Sequence, residues 1–430
     1  MRLRYNYRVY PDAGQRAALA RAFGCARVVF NDGLRMRQEA PMRGLPYISD
    51  GDLSKRVITQ AKASPERSWL GEVSAVVLQQ ALADLNTACR DFFSSLSGKR
   101  KSRKGRKAAP PRFRSRKDSR QAVRFTKNAR FKVTESGRLR LPKIGDVPVR
   151  WSRSLPSDPS SVTVIKDSAG RYVASFVVET SDEPLPETDS ETDSETDSET
   201  DSETDSETDS VVGIDLGLTH FATLSNGTKI DNPRILRRAA KKLRKAQKAL
   251  SRKEKGSANR KKAEQVVAKA YAKVTGTRRD WAHKLSTRII RDNQAVYVED
   301  LAVSGLARTR LAKSVHDAGW SQFVSMLEYK AARYGRHFGK IDRWFPSSKL
   351  CSSCGAIAES MPLNVRSWTC GCGITHDRDI NAAVNILAAG LAERRNDCGA
   401  RVRPGPVPAP REEAVTRREP HARQTGISVL

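Results

Sequence analysis

The sequence predicts a mixed fold, in which an all-β part with helices comes first and an α/β part follows after residue 210. Two observations support this division. Short alternating segments separated by turn residues run from 122 to 178, a pattern typical of a small β-barrel. After residue 210, apolar runs that end in an acidic residue are separated by long helical stretches, which indicates a sheet covered by helices.

The N-terminal part begins with a predicted strand. Residues 2–10 alternate between polar and apolar side chains, and Pro11 stops the pattern. Apolar residues then recur at helical spacing from 14 to about 36, and again from about 73 to 96. We therefore expect a helical insertion between the first strand and the rest of the β-barrel.

The charge of the chain indicates its class of partner. The 430 residues carry a formal net charge of +30, although six tandem Glu-Thr-Asp-Ser copies at 187–210 add twelve negative charges. Such an excess predicts a polyanionic partner. The N-terminal sequence lacks the apolar core of a signal peptide, and no apolar run approaches membrane-spanning length. We expect a cytoplasmic, nucleoid-associated protein with no membrane partner.

Two basic segments are candidates for phosphate binding. Residues 99–117 hold eleven basic and no acidic residues, which predicts a mobile phosphate-binding arm, with a solvated tail as the alternative. Residues 234–292 predict two long helices broken near Gly256, and the first helix is strongly basic; the hairpin either faces nucleic acid or is simply solvated. The candidate nucleic-acid-binding residues are Lys99, Arg100, Lys101, Arg103, Lys104, Arg106, Lys107, Arg112, Arg114, Arg237, Arg238, Lys241, Lys242, Arg244 and Lys245.

Two segments are predicted to be disordered. The acidic repeat at 187–210 has no apolar residue; it is either a neutral expansion in a linker or a tether that competes with nucleic acid for basic grooves. Residues 394–430 lose all periodicity and hold five prolines.

Three short stretches carry acidic residues in a pattern that a metal-dependent nuclease requires. Residues 212–217 and 295–301 are apolar runs with a carboxylate near the C-terminal end, which predicts buried strands that deliver a charge to a sheet edge. Residues 376–383 are an acidic turn followed by a helix start. Two or three converging carboxylates can hold a pair of Mg²⁺ ions about 3.5–4 Å apart and drive phosphodiester hydrolysis.

The first of these stretches also fits another class of enzyme. The letters Gly-Ile-Asp-Leu-Gly at 213–217 open actin-like ATPases too, whose sheet is shared with ribonuclease H. Such an ATPase needs a glycine-rich adenosine loop downstream, and the sequence has none that we can identify. The second acidic strand end and the Asp-Arg-Asp turn at 377–379 favour a nuclease.

Four of the seven cysteines are clustered. Their spacing, Cys-x2-Cys, fifteen residues, then Cys-x-Cys, predicts a zinc ribbon in a reducing compartment, with thiolates about 2.3 Å from Zn²⁺. The second pair is one residue shorter than usual, so His376 in place of Cys372, or a lost site, are alternatives. We expect no role for the remaining cysteines, Cys25, Cys89 and Cys398. The candidate zinc ligands are Cys351, Cys354, Cys370 and Cys372.

Several motifs together resemble the TnpB family of transposon-encoded proteins, which is related to type V CRISPR effectors. The resemblance covers about residues 1–180 and 211–393. The motifs are Tyr10-Pro11-x-x-x-Gln15, Arg27-x-x-Phe30-Asn31, Pro111-Arg112-Phe113-Arg114, Gly213-Ile214-Asp215-Leu216-Gly217, Val298-Glu299-Asp300-Leu301, Phe345-Pro346-Ser347-Ser348-Lys349-x-Cys351-x-x-Cys354-Gly355, Trp368-x-Cys370 and His376-Asp377-Arg378-Asp379-x-Asn381-Ala382-Ala383-x-Asn385-Ile386.

The resemblance implies an RNA-guided DNA endonuclease that binds a guide RNA made from the transposon end and cuts double-stranded DNA. It places the Mg²⁺ ligands at Asp215, Glu299 and Asp379 in a ribonuclease-H-like, RuvC-like domain. Asp377 suits helix capping better than metal binding. The implied domains are a β-barrel (1–12 and 97–180), a helical recognition insertion (13–96), an acidic disordered linker (181–210), the RuvC-like domain (211–345 and 374–393), a zinc ribbon (346–373) and a disordered tail (394–430).

Other activities are compatible with the same motifs. A non-catalytic, nucleic-acid-binding regulator of transposition would keep the basic surfaces without using the acids. A transposase that joins strands would use the same sheet and the same acids. Mapping the products of guide-dependent cleavage separates these alternatives from the endonuclease.

Overall fold

The computed structural model divides into two compact units, residues 1–181 with 246–269 and residues 182–245 with 270–430. Most of the predicted linker at 181–210, the basic residues 99–107 and most of the predicted tail lie outside the described residues. The structure describes residues 1–98, 108–118, 120–181, 184–185, 211–362, 364–397, 400–401 and 413–414.

The first unit contains a seven-stranded antiparallel sheet in the order β2-β6-β7-β1-β5-β4-β3. Strand β1 lies inside the sheet, because it pairs along its whole length with β7 and at its end with β5. No pairing joins the edge strands β2 and β3 within the described residues, so the sheet is open where the sequence predicts a barrel. The strands are β1 Arg2–Val9, β2 Gln121–Thr126, β3 Lys132–Val133, β4 Arg138–Leu141, β5 Gly145–Arg150, β6 Ser161–Lys166 and β7 Tyr172–Glu179.

Helices between β1 and β2 pack on this sheet and share one hydrophobic core with it. The first helix begins with a capping box, in which Asp12 accepts from the backbone N–H of Gln15 at 2.8 Å. Gln15 Nε2 also donates to Asp146 O in β5 at 3.0 Å, which fixes the helix start on the sheet. The helices are α1 Ala13–Met42, α2 Asp50–Ser54, α3 Ala61–Ala63 and α4 Ala75–Leu96, with a π-helical turn Lys55–Gln60 and a 3-10 turn Pro65–Glu72.

The second unit is built on a five-stranded mixed sheet in the order β10-β9-β8-β11-β12. Strands β8, β11 and β12 are parallel, while β9 and β10 form an antiparallel hairpin at one edge. Strands β8 and β11 are buried along most of their length, as their continuous apolar runs predict, whereas the edge strand β12 buries only Ile341. The strands are β8 Val211–Asp215, β9 His220–Leu224, β10 Lys229–Asp231, β11 Ala295–Glu299 and β12 His337–Ile341.

Helices cover this sheet. Lys330 on α9 is buried, and its ammonium donates to His283 O at 2.6 Å and to the hydroxyls of Ser286 and Thr287 at 2.7 Å. Burial lowers the pKa of Lys330 to about 8. These bonds join α9 to α6. The helices are α5 Ile235–Ser251, α6 Ala258–Asp292, α7 Val303–Leu306, α8 Ala312–Ala318, α9 Trp320–Tyr334 and α10 Arg378–Asp397, and the parts of α5 and α6 within 246–269 belong to the first unit.

A small hairpin and two tight turns lie between β12 and α10. The hairpin is formed by β13, Ser367–Thr369, and β14, Thr375–Asp377. Helix α10 continues to Asp397, four residues beyond the boundary predicted for the disordered tail. Among the described residues, no helix has the length and apolarity that crossing a membrane requires.

Candidate catalytic and metal sites

Two of the three candidate acids lie side by side at one sheet edge. Asp215 is the last residue of β8, and Glu299 is the last residue of β11. These strands are parallel and adjacent, and Ile214 stands opposite Val298 in the register. The two carboxylates therefore leave the sheet at the same edge, where the carboxyl ends of parallel strands meet.

The third acid comes from α10, which packs closely on β8. Asp379 lies in the first turn of this helix. A Cβ atom on Gly213 would lie 2.2 Å from Ala383 O and 2.6 Å from Leu387 N, so only glycine permits this approach of helix to strand. Gly213 therefore has a packing role that its motif alone does not reveal: it lets α10 bring Asp379 beside Asp215.

The electrostatics show that the site concentrates negative charge. Burial raises the pKa of Asp215 to about 7, and the charges of Asp379 and Glu299 add to the effect. Burial also raises the pKa of Glu299, with Asp300 as the second cause. For Asp215, burial and the two like charges outweigh the charges of Arg378 and Arg366, which act in the opposite direction. The donor set therefore fits a hard divalent cation such as Mg²⁺, which prefers oxygen ligands.

One cation in the described region contacts a candidate ligand directly. Arg366 Nη1 lies 3.3 Å from Asp379 Oδ1, and its Nη2 lies 3.4 Å from Thr219 Oγ1. Arg378 and Arg366 both act to lower the pKa of Asp215. Sequence reasoning missed Arg366, because it lies in an irregular segment before β13 with no recognisable motif around it.

Asp377 caps helix α10, as its position in the sequence before the helix predicts. Its Oδ1 accepts from the backbone N–H groups of Asp379 and Ile380, both at 3.1 Å, and so caps α10. Lys229 Nζ lies 2.6 Å from its Oδ2. Burial acts to raise the pKa of Asp377, but the hydrogen bonds from Lys229 and the helix outweigh it and hold the pKa below its usual range.

The four clustered cysteines converge. Their sulfur atoms all lie within 4.8 Å of one another, including 3.8 Å between Cys351 and Cys372 and 3.6 Å between Cys354 and Cys370. In the part of the chain that the structure describes, no second group of three or more His, Cys, Asp or Glu side chains comes together in this way. Four sulfurs in this arrangement fit a tetrahedral Zn²⁺.

The shorter Cys-x-Cys turn still brings its sulfurs to the cluster, because a backbone hydrogen bond closes it in the same way as the first turn. In the first turn, Cys351 N donates to Ala356 O at 2.8 Å; in the second, Cys370 N donates to Ile374 O at 2.9 Å. Each turn ends in a glycine with positive φ directly after its second cysteine, Gly355 at 75° and Gly373 at 87°. The second turn is therefore the first with one residue removed between the cysteines.

His376 lies beside this cluster rather than in place of Cys372. Its Nε2 is 3.0 Å from Cys351 Sγ, and its ring packs against Trp368 with centroids 5.1 Å apart. Burial acts to raise the pKa of the Cys351 thiol, but hydrogen bonds from the backbone of Cys354 and Ser353 and from His376 lower it to about 6. A thiol that ionises this readily suits metal ligation.

Two buried asparagines on α10 hold the cysteine segment. Asn381 Nδ2 donates to Leu350 O at 2.7 Å, and its Oδ1 accepts from Ser352 N at 3.0 Å. Asn385 Nδ2 donates to Ser347 O at 2.8 Å and also to Leu350 O at 2.6 Å. The helix that carries Asp379 therefore binds the segment that carries the first cysteine pair.

The predicted nucleic-acid-binding residues have different environments. Those of α5 (Arg237, Arg238, Lys241, Lys242, Arg244 and Lys245) are all exposed, as is Arg112. Arg114 instead stacks on Phe30 at 3.8 Å and lies 3.3 Å from Asp84 Oδ2, so internal partners hold it. The seven residues predicted between 99 and 107 lie outside the described residues.

Comparisons with known families identify the class of protein to which the chain belongs. Residues 1–44 match the OrfB "Helix-turn-helix domain", 175–310 match OrfB "Probable transposase", and 320–386 match the "Cas12f1-like, TNB domain". The chain belongs to this OrfB, or TnpB, family. In the region matched by the helix-turn-helix model, the structure has β1 and one continuous helix, α1.

Two relatives are similar to this chain over nearly its whole length. A protein of Streptomyces pristinaespiralis named "Putative RNA-guided DNA endonuclease" is 43% identical over 433 residues, covering 99% of this chain and 98% of the relative. "Putative RNA-guided DNA endonuclease InsQ" of Escherichia coli K12 is 29% identical, with 93% and 95% covered. The solved Cas12f1-sgRNA-target DNA complex is similar in fold, with a TM-score of 0.50, 14% identity, and 87% and 83% covered.

Proposed function

We propose that this chain is an RNA-guided DNA endonuclease that cuts through a Mg²⁺ site at Asp215, Glu299 and Asp379. The observation that carries the proposal is the meeting of three acids from distant parts of the sequence beside one sheet edge. A relative 43% identical over its full length bears the name of this activity. The second unit is then a ribonuclease-H-like, RuvC-like domain, and its cysteines hold a structural Zn²⁺.

The chain's own residues define what the site does. Mg²⁺ held here would supply Lewis-acid chemistry, which lowers the pKa of water and stabilises the leaving 3′ oxygen. Asp215, Glu299 and Asp379 would be the ligands, and their raised pKa values fall back when a cation offsets their charge. Arg366 would leave Asp379 for a phosphate oxygen of the DNA, which is its stronger bidentate partner.

The exposed basic face of α5 would bind backbone phosphates. Such contacts supply affinity without sequence information, so sequence would be read by pairing between guide and target. The guide would be RNA from the transposon end, and the target would be double-stranded DNA. The basic residues between 99 and 107 would add to this binding.

Cleavage of a guide-matched plasmid tests the proposal. The protein is purified with its co-expressed RNA, and the wild type is compared with Asp215→Asn and with Asp280→Asn, an exposed acid on α6. We expect Asp215→Asn to retain below about 1% of cleavage while binding RNA and DNA normally, and Asp280→Asn to match the wild type. Joined rather than cut products would favour a strand-joining transposase, and binding without cleavage would favour a regulator.

A further inference from the structure

The side chain of Trp344 in the second unit is exposed to solvent and does not pack in the protein core. Trp344 is 85% exposed, whereas Trp320 is 3% exposed and Trp281 packs edge-on against Phe221 at 4.6 Å. Within the described part of the chain, Trp344 makes no ring contact. A free indole face in water is unfavourable for the chain alone and is suited to stacking on another flat group.

Trp344 lies at the sheet edge that carries the acids. Strand β12 ends at Ile341, which stands opposite Glu299 in the parallel register. Asp300 N also donates to Ile341 O at 3.2 Å, so the two chains stay together past the strand ends. Three residues span at most about 10 Å, and neighbouring strands lie about 5 Å apart, so the Cα atom of Trp344 lies within about 15 Å of that of Glu299.

The turn that presents Trp344 is held from both sides. Trp344 N donates to Asp342 Oδ1 at 2.7 Å, and the Arg343 guanidinium forms an ion pair with Asp300. Phe345, the next residue, packs inward against the small core around Tyr297 and Ile341. The backbone is therefore fixed while the indole faces solvent, and little ordering entropy remains to be lost on binding.

We propose that Trp344 is a stacking platform for an unpaired base of the DNA strand beside the scissile phosphate. This inference rests on the proposed function and adds a positioning residue to it. Paired bases hide their faces in the duplex, so the platform selects unpaired DNA. Every base has a π face, so stacking tolerates any sequence, as a guide-programmed enzyme requires.

Photocrosslinking tests the contact without depending on cleavage. The full chain with its RNA is mixed with single-stranded DNA that carries 5-iodouracil at one position at a time, and irradiated. Cleavage by trypsin after Arg343 and Lys349 isolates Trp344 in a short peptide for mass spectrometry. We expect crosslinks at Trp344 from one or two adjacent positions. DNA that binds and crosslinks elsewhere, but never at Trp344, would overturn the proposal.

Kinetics test whether the contact positions the substrate. Trp344→Ala should slow cleavage of single-stranded DNA by roughly 5- to 100-fold, the range expected for loss of a stacking ring, and Trp344→Phe should restore most of it. An abasic site at the crosslinked position should lower the wild-type rate to that of Trp344→Ala and leave the variant unchanged. Met42→Ala, also 85% exposed, is the matched control with no expected effect.

The outcomes separate the two proposals. If the wild type cuts DNA and Trp344→Ala cuts equally fast, the stacking role is wrong and the endonuclease stands. If the wild type never cuts DNA, the endonuclease proposal fails, and the crosslink alone decides whether Trp344 contacts a base.

Discussion

The two candidate metal sites of the second unit are assembled in opposite ways. The cysteines lie within 22 positions of the sequence, and two local turns bring their sulfurs within 4.8 Å. The three acids come from two strands and a helix far apart in the chain. The cysteine site therefore depends on local turns, and the acidic site depends on the whole sheet.

The substitution that separates the two sites most sharply is Gly213→Ala. The added Cβ would collide with the backbone of α10, so the helix must move and take Asp379 with it. We expect cleavage to be lost and the free energy of unfolding to fall by about 3 kcal/mol, while zinc content stays at that of the wild type. Gly276→Ala on α6 has nothing within 4 Å and is the matched control. Normal cleavage by Gly213→Ala would contradict this role of the glycine.

The two aspartates at the start of α10 test which carboxylate belongs to the acidic site. Asp379→Asn should reduce cleavage about 100-fold or more, because it removes a ligand from a set that acts as a unit. Asp377→Asn should cost only about 1 kcal/mol of stability through the weakened cap and the lost Lys229 partner. Cleavage rates and urea unfolding of both variants measure this. Equal losses of activity would show that the choice between them is wrong.

Metal content tests the cysteine site by itself. Purified protein should contain about one zinc per chain, and a strong chelator should destabilise residues 346–375, as hydrogen exchange can measure. Cys370→Ser should lose the metal, whereas Cys89→Ser, a buried thiol of the first unit, should keep it. One residue inserted between Gly371 and Cys372 should raise zinc affinity, since it restores the usual spacing. Protein purified under reducing conditions without zinc would contradict the ribbon.

The smallest expected effect concerns pH. Because the pKa of Asp215 is about 7 in the folded protein and roughly 4 in an unfolded chain, the folded state holds an extra proton between these values. Without metal, stability should fall as pH rises through this window. Mg²⁺ should therefore raise the melting temperature by at least about 2 °C more at pH 8 than at pH 5.5. The Asp215→Asn variant should lose this difference; if it does not, another group is responsible.

The sequence allowed much of this arrangement to be predicted. Acids at the ends of apolar runs mark Asp215 and Glu299, since strand ends of a parallel sheet meet at one edge. The cysteine spacing marks the second site. Both signals are short-range patterns of polarity and spacing, so they can be recognised in the sequence without knowledge of the fold.

Other features depend on contacts between distant residues and could not be read in this way. The ion pair of Arg366 with Asp379 requires the folded cysteine segment to lie over α10. In the described part of the first sheet, strands β2 and β3 are the two unpaired edges. Whether such edges pair to close a barrel depends on contacts between distant strands, and the alternation of polar and apolar residues predicts the strands but not this pairing. The close packing at Gly213 likewise appears only when the helix is in place.

Asn381 and Asn385 bind backbone atoms of the cysteine segment, namely Ser347 O, Leu350 O and Ser352 N. A hydrogen bond to a peptide group is indifferent to the side chain of the residue that supplies it. The attachment of the cysteine segment to the helix therefore does not depend on the side chains at 347–352. A cysteine segment of different sequence, with the same backbone path there, would bind the same helix, so this segment can diverge or be exchanged by design without changing the helix that carries Asp379.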